Sequence, residues 1–361
     1  MFYHFLLPFA HDFIIFNLLR YITFRTAAAM VTAIIICLIF GGHFVGVLRK
    51  YQIKEKIRAD GPQSHLSKEG TPTMGGLIVI LGIVAPTILW ADVTNFYVIV
   101  ALIVSLWLGA LGFLDDYLKA VKHQRRGLVA RFKFVGQVIL GVIVWVALTQ
   151  YSPDAVTYGD TEMPFFKHLY LPWGVFFLPL IIAVIAGSSN AVNLTDGLDG
   201  LAIGLSAICF LAFAALTYIA GRQDYSAYLQ IEYIPGAGEL TVFCGAALGA
   251  SLGFLWFNTN PAEVFMGDTG ALTLGGVLGA ISLMIKKELV FALLGGVFVI
   301  EALSVMLQVG SFKLRGKRIF KMAPLHHHFE LLGWPEQKVV VRFWIMGALF
   351  ALLALSTIKI R

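Results

Sequence analysis

Long apolar runs alternate with short polar segments along this chain. A spanning helix needs about 20 apolar residues, because about 30 Å of hydrocarbon is crossed at 1.5 Å per residue. Ten runs approach or exceed that length: roughly 23–46, 73–91, 95–114, 132–150, 173–189, 200–220, 239–258, 268–285, 289–310 and 338–359. Stretches such as Leu77–Leu89 and Leu289–Val299 are continuously apolar, whereas membrane β-strands alternate with period two over about ten residues. The pattern predicts an all-α, polytopic integral membrane protein with about ten transmembrane helices. The longest connection, about 311–337, is too short for a soluble domain of about 50 residues, so 23–361 reads as a single ten-helix domain. Residues 1–22 precede it as an apolar leader without a basic start or a small-residue cleavage site. They read as an interfacial or partly inserted segment, with an eleventh span as the alternative, and not as a signal peptide.

Composition agrees with that reading. Of 361 residues, 58% are hydrophobic and 13% charged, against about 45–50% and about 25% in soluble domains. A soluble enzyme, a disordered chain and an ordinary nucleic-acid-binding domain are excluded. Cys37, Cys209 and Cys244 fall inside apolar spans without metal-ligand or disulfide spacing, as small buried hydrophobes do.

Charge placement orients the chain. With ten spans, odd-numbered loops share one face, and even-numbered loops and both termini share the other. Six Lys and Arg lie between Arg49 and Lys68, six between Lys119 and Lys133, and seven between Lys313 and Arg342, so odd loops and their edges carry 19 of the 27. The other face holds Arg20, Arg25, Lys167, Arg222, Lys286, Lys287, Lys359 and Arg361. Cytoplasmic loops carry the excess of Lys and Arg. The odd loops are therefore expected in the cytoplasm and both termini in the periplasm. The same bias accounts for the net charge of +6 without any nucleic acid.

Two odd loops break the basic rule. Loop 5, Gly187–Gly200, and loop 7, Asn258–Asp268, carry Asp196, Asp199, Glu263 and Asp268 and no Lys or Arg. Short acidic Gly-rich loops suit a hard divalent cation, which prefers oxygen ligands. Helix capping is the plainer alternative for Asp199 and Asp268, since each precedes an apolar run. The third span ends in adjacent Asp115 and Asp116, with Lys119 three and four residues on. Adjacent carboxylates suit a metal or a general base, and helical i,i+3 and i,i+4 pairing with Lys119 is the bland alternative. Loop 9 contains His326, His327 and His328. Neighbouring residues rarely point to one metal, so phosphate contact or proton transfer fits better than a zinc site, with a solvated loop as the alternative. The turn Lys68–Gly76 can present backbone N–H groups to a phosphate at a helix start or can be ordinary helix entry. Glu301 lies in the middle of the ninth span, where an ionisable group is costly and needs a partner or a function. Carboxylates for Mg²⁺, cations for phosphate and a His cluster on one membrane face are what diphosphate chemistry on a lipid substrate requires.

Five strings carry a resemblance: GTPTMGG at 70–76, LDDYLK at 114–119, NAVNLTDGLDGLA at 190–202, FNTNPAEVFMGDTG at 257–270 and PLHHHFE at 324–330. From about residue 20 to the C-terminus the chain resembles the phospho-N-acetylmuramoyl-pentapeptide-transferase family, within the wider polyprenyl-phosphate N-acetylhexosamine-1-phosphate transferases. The resemblance implies a bacterial inner-membrane enzyme with its active site facing the cytoplasm. It implies Mg²⁺-dependent transfer of phospho-MurNAc-pentapeptide from UDP-MurNAc-pentapeptide to undecaprenyl phosphate, giving lipid I and UMP. It also implies ten spans, external termini and a homodimer among membrane lipids. Asp268 matches the family's Mg²⁺ ligand, and Asp115 and Asp116 match its paired aspartates, Asp115 as base or orienter of the lipid phosphate and Asp116 assisting at metal or phosphate. Asn190, Asn193, Asp196 and Asp199 match the loop lining the nucleotide site. Phe265 matches an aromatic that can stack on uracil, with Asn258 beside it. His326 matches a residue the family needs for activity, with His327 and His328 next to it. Lys68, Thr73, Lys119 and Lys133 are expected phosphate contacts.

A direct attack of the lipid phosphate on the β-phosphate competes with a two-step route through a covalent aspartate. The direct route is favoured because a phosphate monoester is already anionic near neutral pH, with a second pKa of about 6. Other readings are a sibling transferase using UDP-GlcNAc, a lipid transporter or flippase, and a non-catalytic scaffold. A transporter would show inverted repeats and charges along a membrane path; no convincing repeat is visible, and Glu301 is the only acid deep in a span.

Overall fold

The structure is a computed structural model that describes residues 1–11, 13–51, 68, 70–122, 124, 127–153, 159–166 and 169–359. Lys54, Lys56, Arg58, Arg125, Arg126, Lys167 and Arg361, used in the orientation count, lie outside the described residues. The helices are α1 (Phe2–Leu6), α2 (Ile22–Lys50), α3 (Gly76–Trp90), α4 (Phe96–Ala120), α5 (Ala130–Val146), α6 (Phe177–Thr195), α7 (Leu201–Ala220), α8 (Gln223–Leu229), α9 (Leu240–Asn258), α10 (Gly267–Met284), α11 (Glu288–Leu294), α12 (Gly296–Arg315), α13 (Leu325–Glu330) and α14 (Glu336–Ser356). One short antiparallel hairpin, β1 (Asp160–Glu162) with β2 (Tyr170–Pro172), is the only sheet among the described residues. Nine helices there are long and apolar enough to cross a membrane, and α3, with 15 residues, is a shorter tenth. The chain is a multi-pass membrane protein. The leader forms α1 and two 3₁₀ segments, none longer than seven residues and so each far short of a span.

α10 is the axis of the bundle: every residue from Asp268 to Met284 is buried. It packs against α4, α6, α3 and α7. Its sequence is rich in Gly, Ala, Ser and Thr, the small residues that let membrane helices approach closely. At Gly112 of α4, an added Cβ would lie 2.4 Å from the Asp268 carbonyl oxygen, so that glycine brings α4 directly onto the start of α10.

Three boundaries differ from the sequence pattern, each for a local reason. Span 2 starts late, at Gly76, because the preceding turn is drawn into an extended pairing. Phe265 N–H donates to the Pro72 carbonyl at 2.8 Å, and Gly75 and Gly76 donate to the Phe265 and Met266 carbonyls at 2.9 and 2.8 Å. Loop 5 is shorter than expected, because α6 runs on to Thr195. Its Ser189, Asn190 and Thr195 side chains bond carbonyls one turn back, which makes polar residues compatible with a buried helix. Span 9 is broken into α11 and α12 at Gly295-Gly296, a glycine pair of the kind that breaks long helices.

The described parts of the odd-numbered connections meet at one end of the bundle. At the other end Arg25 pairs with Glu239 at 2.6 Å, His4 with Asp92 at 2.9 Å, Lys286 with Glu232 and Lys287 with Glu162. The 18 residues of α10, about 27 Å at 1.5 Å per residue, separate Asp268 from this second charged layer. Arg25, Lys286 and Lys287, read from sequence only as minor-face cations, are thus buried and paired.

Candidate active site

The last turn of α4 and the first turn of α10 bring Asp115, Asp116 and Asp268 together. One carboxylate oxygen from each lies within 4.8 Å of the others, so the three can hold a metal ion. Lys119 lies 2.5 Å from Asp115 and 3.4 Å from Asp268. Lys133, from the first turn of α5, lies 3.1 Å from Asp115 and also pairs with Asp268. Three carboxylates against two ammonium groups leave the cluster formally one charge negative. All are largely withdrawn from water, so each charge is felt strongly.

The two adjacent aspartates are not equivalent. Asp115 accepts the Leu128 N–H at 2.6 Å and faces both lysines. Asp116 points to the start of α10, accepting Asp268 N–H at 3.0 Å, Thr269 N–H at 2.9 Å and the Thr269 hydroxyl at 2.6 Å. It supplies the cap that α10 lacks locally, since its own N-cap position is Met266, without a capping side chain. Gly267 carries a left-handed φ of +71°, and a Cβ there would lie 2.6 Å from the Asp116 carboxylate. The MGD sequence therefore needs its glycine twice over. Asp268 sits inside α10 and not at its cap, so the capping alternative fails there; of the helical pairing with Lys119, the i,i+4 contact with Asp115 is present, while Asp116 turns to α10 instead.

A second cluster gathers loops 1, 5, 7 and the start of α14. Lys68 lies 2.8 Å from Asp199 and 2.6 Å from Glu336. Asp199 also accepts from Asn260 Nδ2 at 3.2 Å and Ala262 N–H at 3.1 Å, and its own N–H donates to Glu336 at 2.9 Å. The cap at α7 is Gly200, so Asp199 is a cross-link between loops and not a helix cap. Asn258 spends its amide on the same joint: Oδ1 accepts Gly200 N–H at 3.0 Å and Nδ2 donates to Val264 O at 2.9 Å. Phe265 is half-buried, and its backbone pairs with the Pro72 and Gly75 turn. Thr73 is buried in that turn, next to Met74 at a left-handed φ of +75°. Asn193 and Asp196 are half-buried at the end of α6. Asn190 donates to Gln137 Oε1 at 3.1 Å, tying α6 to α5.

The three histidines take different partners, although the rings of His326 and His327 meet edge to face with centroids 4.2 Å apart. His326 is fully buried, with Nδ1 3.3 Å from Glu301. His327 Nδ1 lies 2.8 Å from Glu330. His328 Nδ1 accepts the Lys321 N–H at 3.1 Å. Among the described residues the three histidines are not part of any group that could hold a metal ion.

A family model described as glycosyl transferase family 4 matches residues 98–286, the stretch that holds Asp115, Asp116, Asp199 and Asp268. The chain is 52% identical to the phospho-N-acetylmuramoyl-pentapeptide-transferase of Citrifermentans bemidjiense over the full length of both. It is 50% and 49% identical, again over both full lengths, to proteins of that name from Pelobacter propionicus and Desulforapulum autotrophicum. The chain belongs to the phospho-N-acetylmuramoyl-pentapeptide-transferase family. It is an enzyme of the transferase class, and the five motif strings from which the resemblance was read fall on the two clusters and the His helix.

For a member of this transferase family, sequence reasoning overlooked Glu336, Gln137 and Thr269. Each acts through a partner more than 50 residues away; Thr269 stands inside the string at 257–270 but its side chain has no local partner to mark it, and Glu336 and Gln137 stand in none of the five strings. For Glu336 a weak signal existed: it is an acid at the first turn of an apolar helix in a strongly basic loop.

Proposed function

We propose that this chain transfers phospho-MurNAc-pentapeptide from UDP-MurNAc-pentapeptide to undecaprenyl phosphate, producing lipid I and UMP. The reaction depends on Mg²⁺ and takes place at the cytoplasmic face of the bacterial inner membrane, in a homodimer. The observation that carries the reading is the Asp115–Asp116–Asp268 group, flanked by Lys119 and Lys133, at one end of a membrane bundle in a chain of this family.

The carboxylates fit a divalent ion. They are hard oxygen donors, and the cluster is one charge short of neutral with only two ammonium groups to balance it. Asp268 would hold Mg²⁺, with Asp116 bracing it from behind and Asp115 left to the lipid phosphate. When bound, Mg²⁺ supplies charge neutralisation at the diphosphate and the departing UMP.

The protein's own part is orientation. A non-bridging oxygen of the lipid phosphate attacks the β-phosphorus, the bond from that phosphorus to the α-phosphate oxygen breaks, and UMP leaves with the electron pair. Asp115, pinned by Leu128 N–H and both lysines, orients the lipid phosphate and takes any remaining proton. Lys119 and Lys133 exchange their carboxylate partners for phosphate oxygens as charge builds in the transition state. Lys68 and Thr73 serve the nucleotide phosphates, Phe265 stacks on uracil, and Asn190, Asn193, Asp196 and Asp199 frame the nucleotide. Asn258 acts by holding loops 5 and 7 together. His326 lies against the Asp196–Asp199 loop, with His327 and His328 shaping the neighbouring wall.

The deciding assay gives purified protein undecaprenyl phosphate, Mg²⁺ and either UDP-MurNAc-pentapeptide or UDP-GlcNAc. UMP release with the muramoyl substrate alone supports the reading. Release with UDP-GlcNAc alone assigns the chain to the sibling activity.

A further inference from the structure

Glu301 is an acid in the interior of an apolar helix, fully buried, and has no part in either cluster above. Its carboxylate reaches the amino end of α13, accepting Leu325 N–H at 2.6 Å and His326 N–H at 3.1 Å. α13 is six residues long, and its N-cap position is Pro324, which has no capping side chain. A helix that short is not stable by itself, so Glu301 supplies the missing cap from a different helix.

The same carboxylate faces the imidazole. Glu301 Oε1 lies 3.3 Å from His326 Nδ1, close enough for electrostatic attraction though not aligned as a hydrogen bond. Neither ring nitrogen of His326 has a hydrogen-bond partner in this structure. Nε2 points the other way, toward Gly197, where an added Cβ would lie 2.3 Å from it. Gly197 sits between Asp196 and Asp199, in the loop assigned above to the nucleotide.

We propose that Glu301 is a positioning residue that acts through His326. It anchors the His326 backbone and attracts an Nδ1–H proton, which leaves Nε2 directed at the Asp196–Asp199 loop. A carboxylate behind a histidine fixes both ring orientation and tautomer. The role differs from that of Gln308, two turns along the same helix. Gln308 only clamps backbone, accepting Ile319 and Phe320 N–H at 2.9 Å each and donating to Phe320 O at 2.9 Å.

The inference rests on the proposed transferase activity, and the experiment separates the two. UMP release by the full-length protein in detergent is measured for wild type, Glu301→Gln, His326→Ala and the double variant, with Gln308→Ala as the backbone-clamp control. Glu301→Gln is expected to lower kcat at least about tenfold in the wild-type background and less than about twofold in the His326→Ala background. Gln308→Ala is expected to have the same effect in both backgrounds. Equal losses from Glu301→Gln in both backgrounds overturn the inference and leave the transferase reading standing. Absence of UMP release by the wild type overturns the transferase reading itself. If Glu301→Gln does not fold, or His326→Ala leaves no turnover to compare, Glu301→Asp decides. It keeps the charge, so its kcat must exceed that of Glu301→Gln by at least about threefold or, where Glu301→Gln does not fold, stay within about tenfold of wild type; a lower value, or an unfolded Asp variant as well, counts against positioning and for a purely structural cap.

Discussion

The Asp116 carboxylate accepts the backbone N–H of Asp268 at 3.0 Å, so one aspartate of the adjacent pair holds in place the residue that the other faces across the charge cluster. Two neighbouring acids on one helix thereby take different work. Asp115 turns to the lysines, where chemistry is expected, and Asp116 turns to the backbone of α10.

That division predicts different responses to substitution. Asp116→Ala strands the Asp268 and Thr269 N–H groups and the Thr269 hydroxyl in a buried site. Each buried polar group left unsatisfied costs about 1–3 kcal/mol, so both Tm in detergent and activity fall. Asp115→Asn leaves α10 capped. It keeps its Tm and its Mg²⁺ binding while kcat drops by about a hundredfold or more. Thermal unfolding beside UMP release checks both.

Lys133 and a divalent ion compete for Asp268. Lys133 pairs with Asp268 and lies 3.1 Å from Asp115. Lys133→Met removes a positive charge next to the carboxylates, which raises their attraction for a cation. Mg²⁺ affinity and turnover are expected to move in opposite directions: the Mg²⁺ concentration for half-maximal activity falls about threefold or more, so binding tightens, while kcat falls because a phosphate contact is lost. Mg²⁺ titrations of the variant and wild type measure both.

Gly197 and His326 form a size-complementary pair. A Cβ at Gly197 would meet Nε2 at 2.3 Å, and overpacking of this kind costs about 1–3 kcal/mol. Gly197→Ala is expected to lower Tm in the wild-type background and to have little effect in His326→Ala, where the ring is gone. Thermal unfolding of the four proteins gives the answer.

Much of this architecture was legible in the chain because a bilayer forces it. Apolar runs of about 20 residues have few alternatives to a helix, and the described parts of the odd connections do meet at one end with both clusters. Glu301 was legible as an oddity by its depth alone. Polar residues inside α6 were misread as loop, since Ser189 and Asn190 can satisfy themselves on carbonyls one turn back. The break in span 9 was hidden because its two glycines lie inside an unbroken apolar run. The partition of work between Asp115 and Asp116 was out of reach. Local spacing offers Lys119 to both, while the partner Asp116 takes is 152 residues away. Glu336 was missed for the same reason, since its contact with Lys68 spans 268 residues.

The central claim is a one-step phosphosugar transfer carried by the Asp115–Asp116–Asp268 cluster. It is tested most directly by a single-turnover quench with UDP-MurNAc-pentapeptide labelled in its β-phosphate, undecaprenyl phosphate, and Mg²⁺ or chelator. The predicted result is label passing to the lipid in step with UMP release, no label on protein at any time, and no reaction in chelator or with Asp268→Asn. Label trapped on Asp115 would contradict the one-step route, and Asp268→Asn turning over like wild type would contradict the assignment of the cluster.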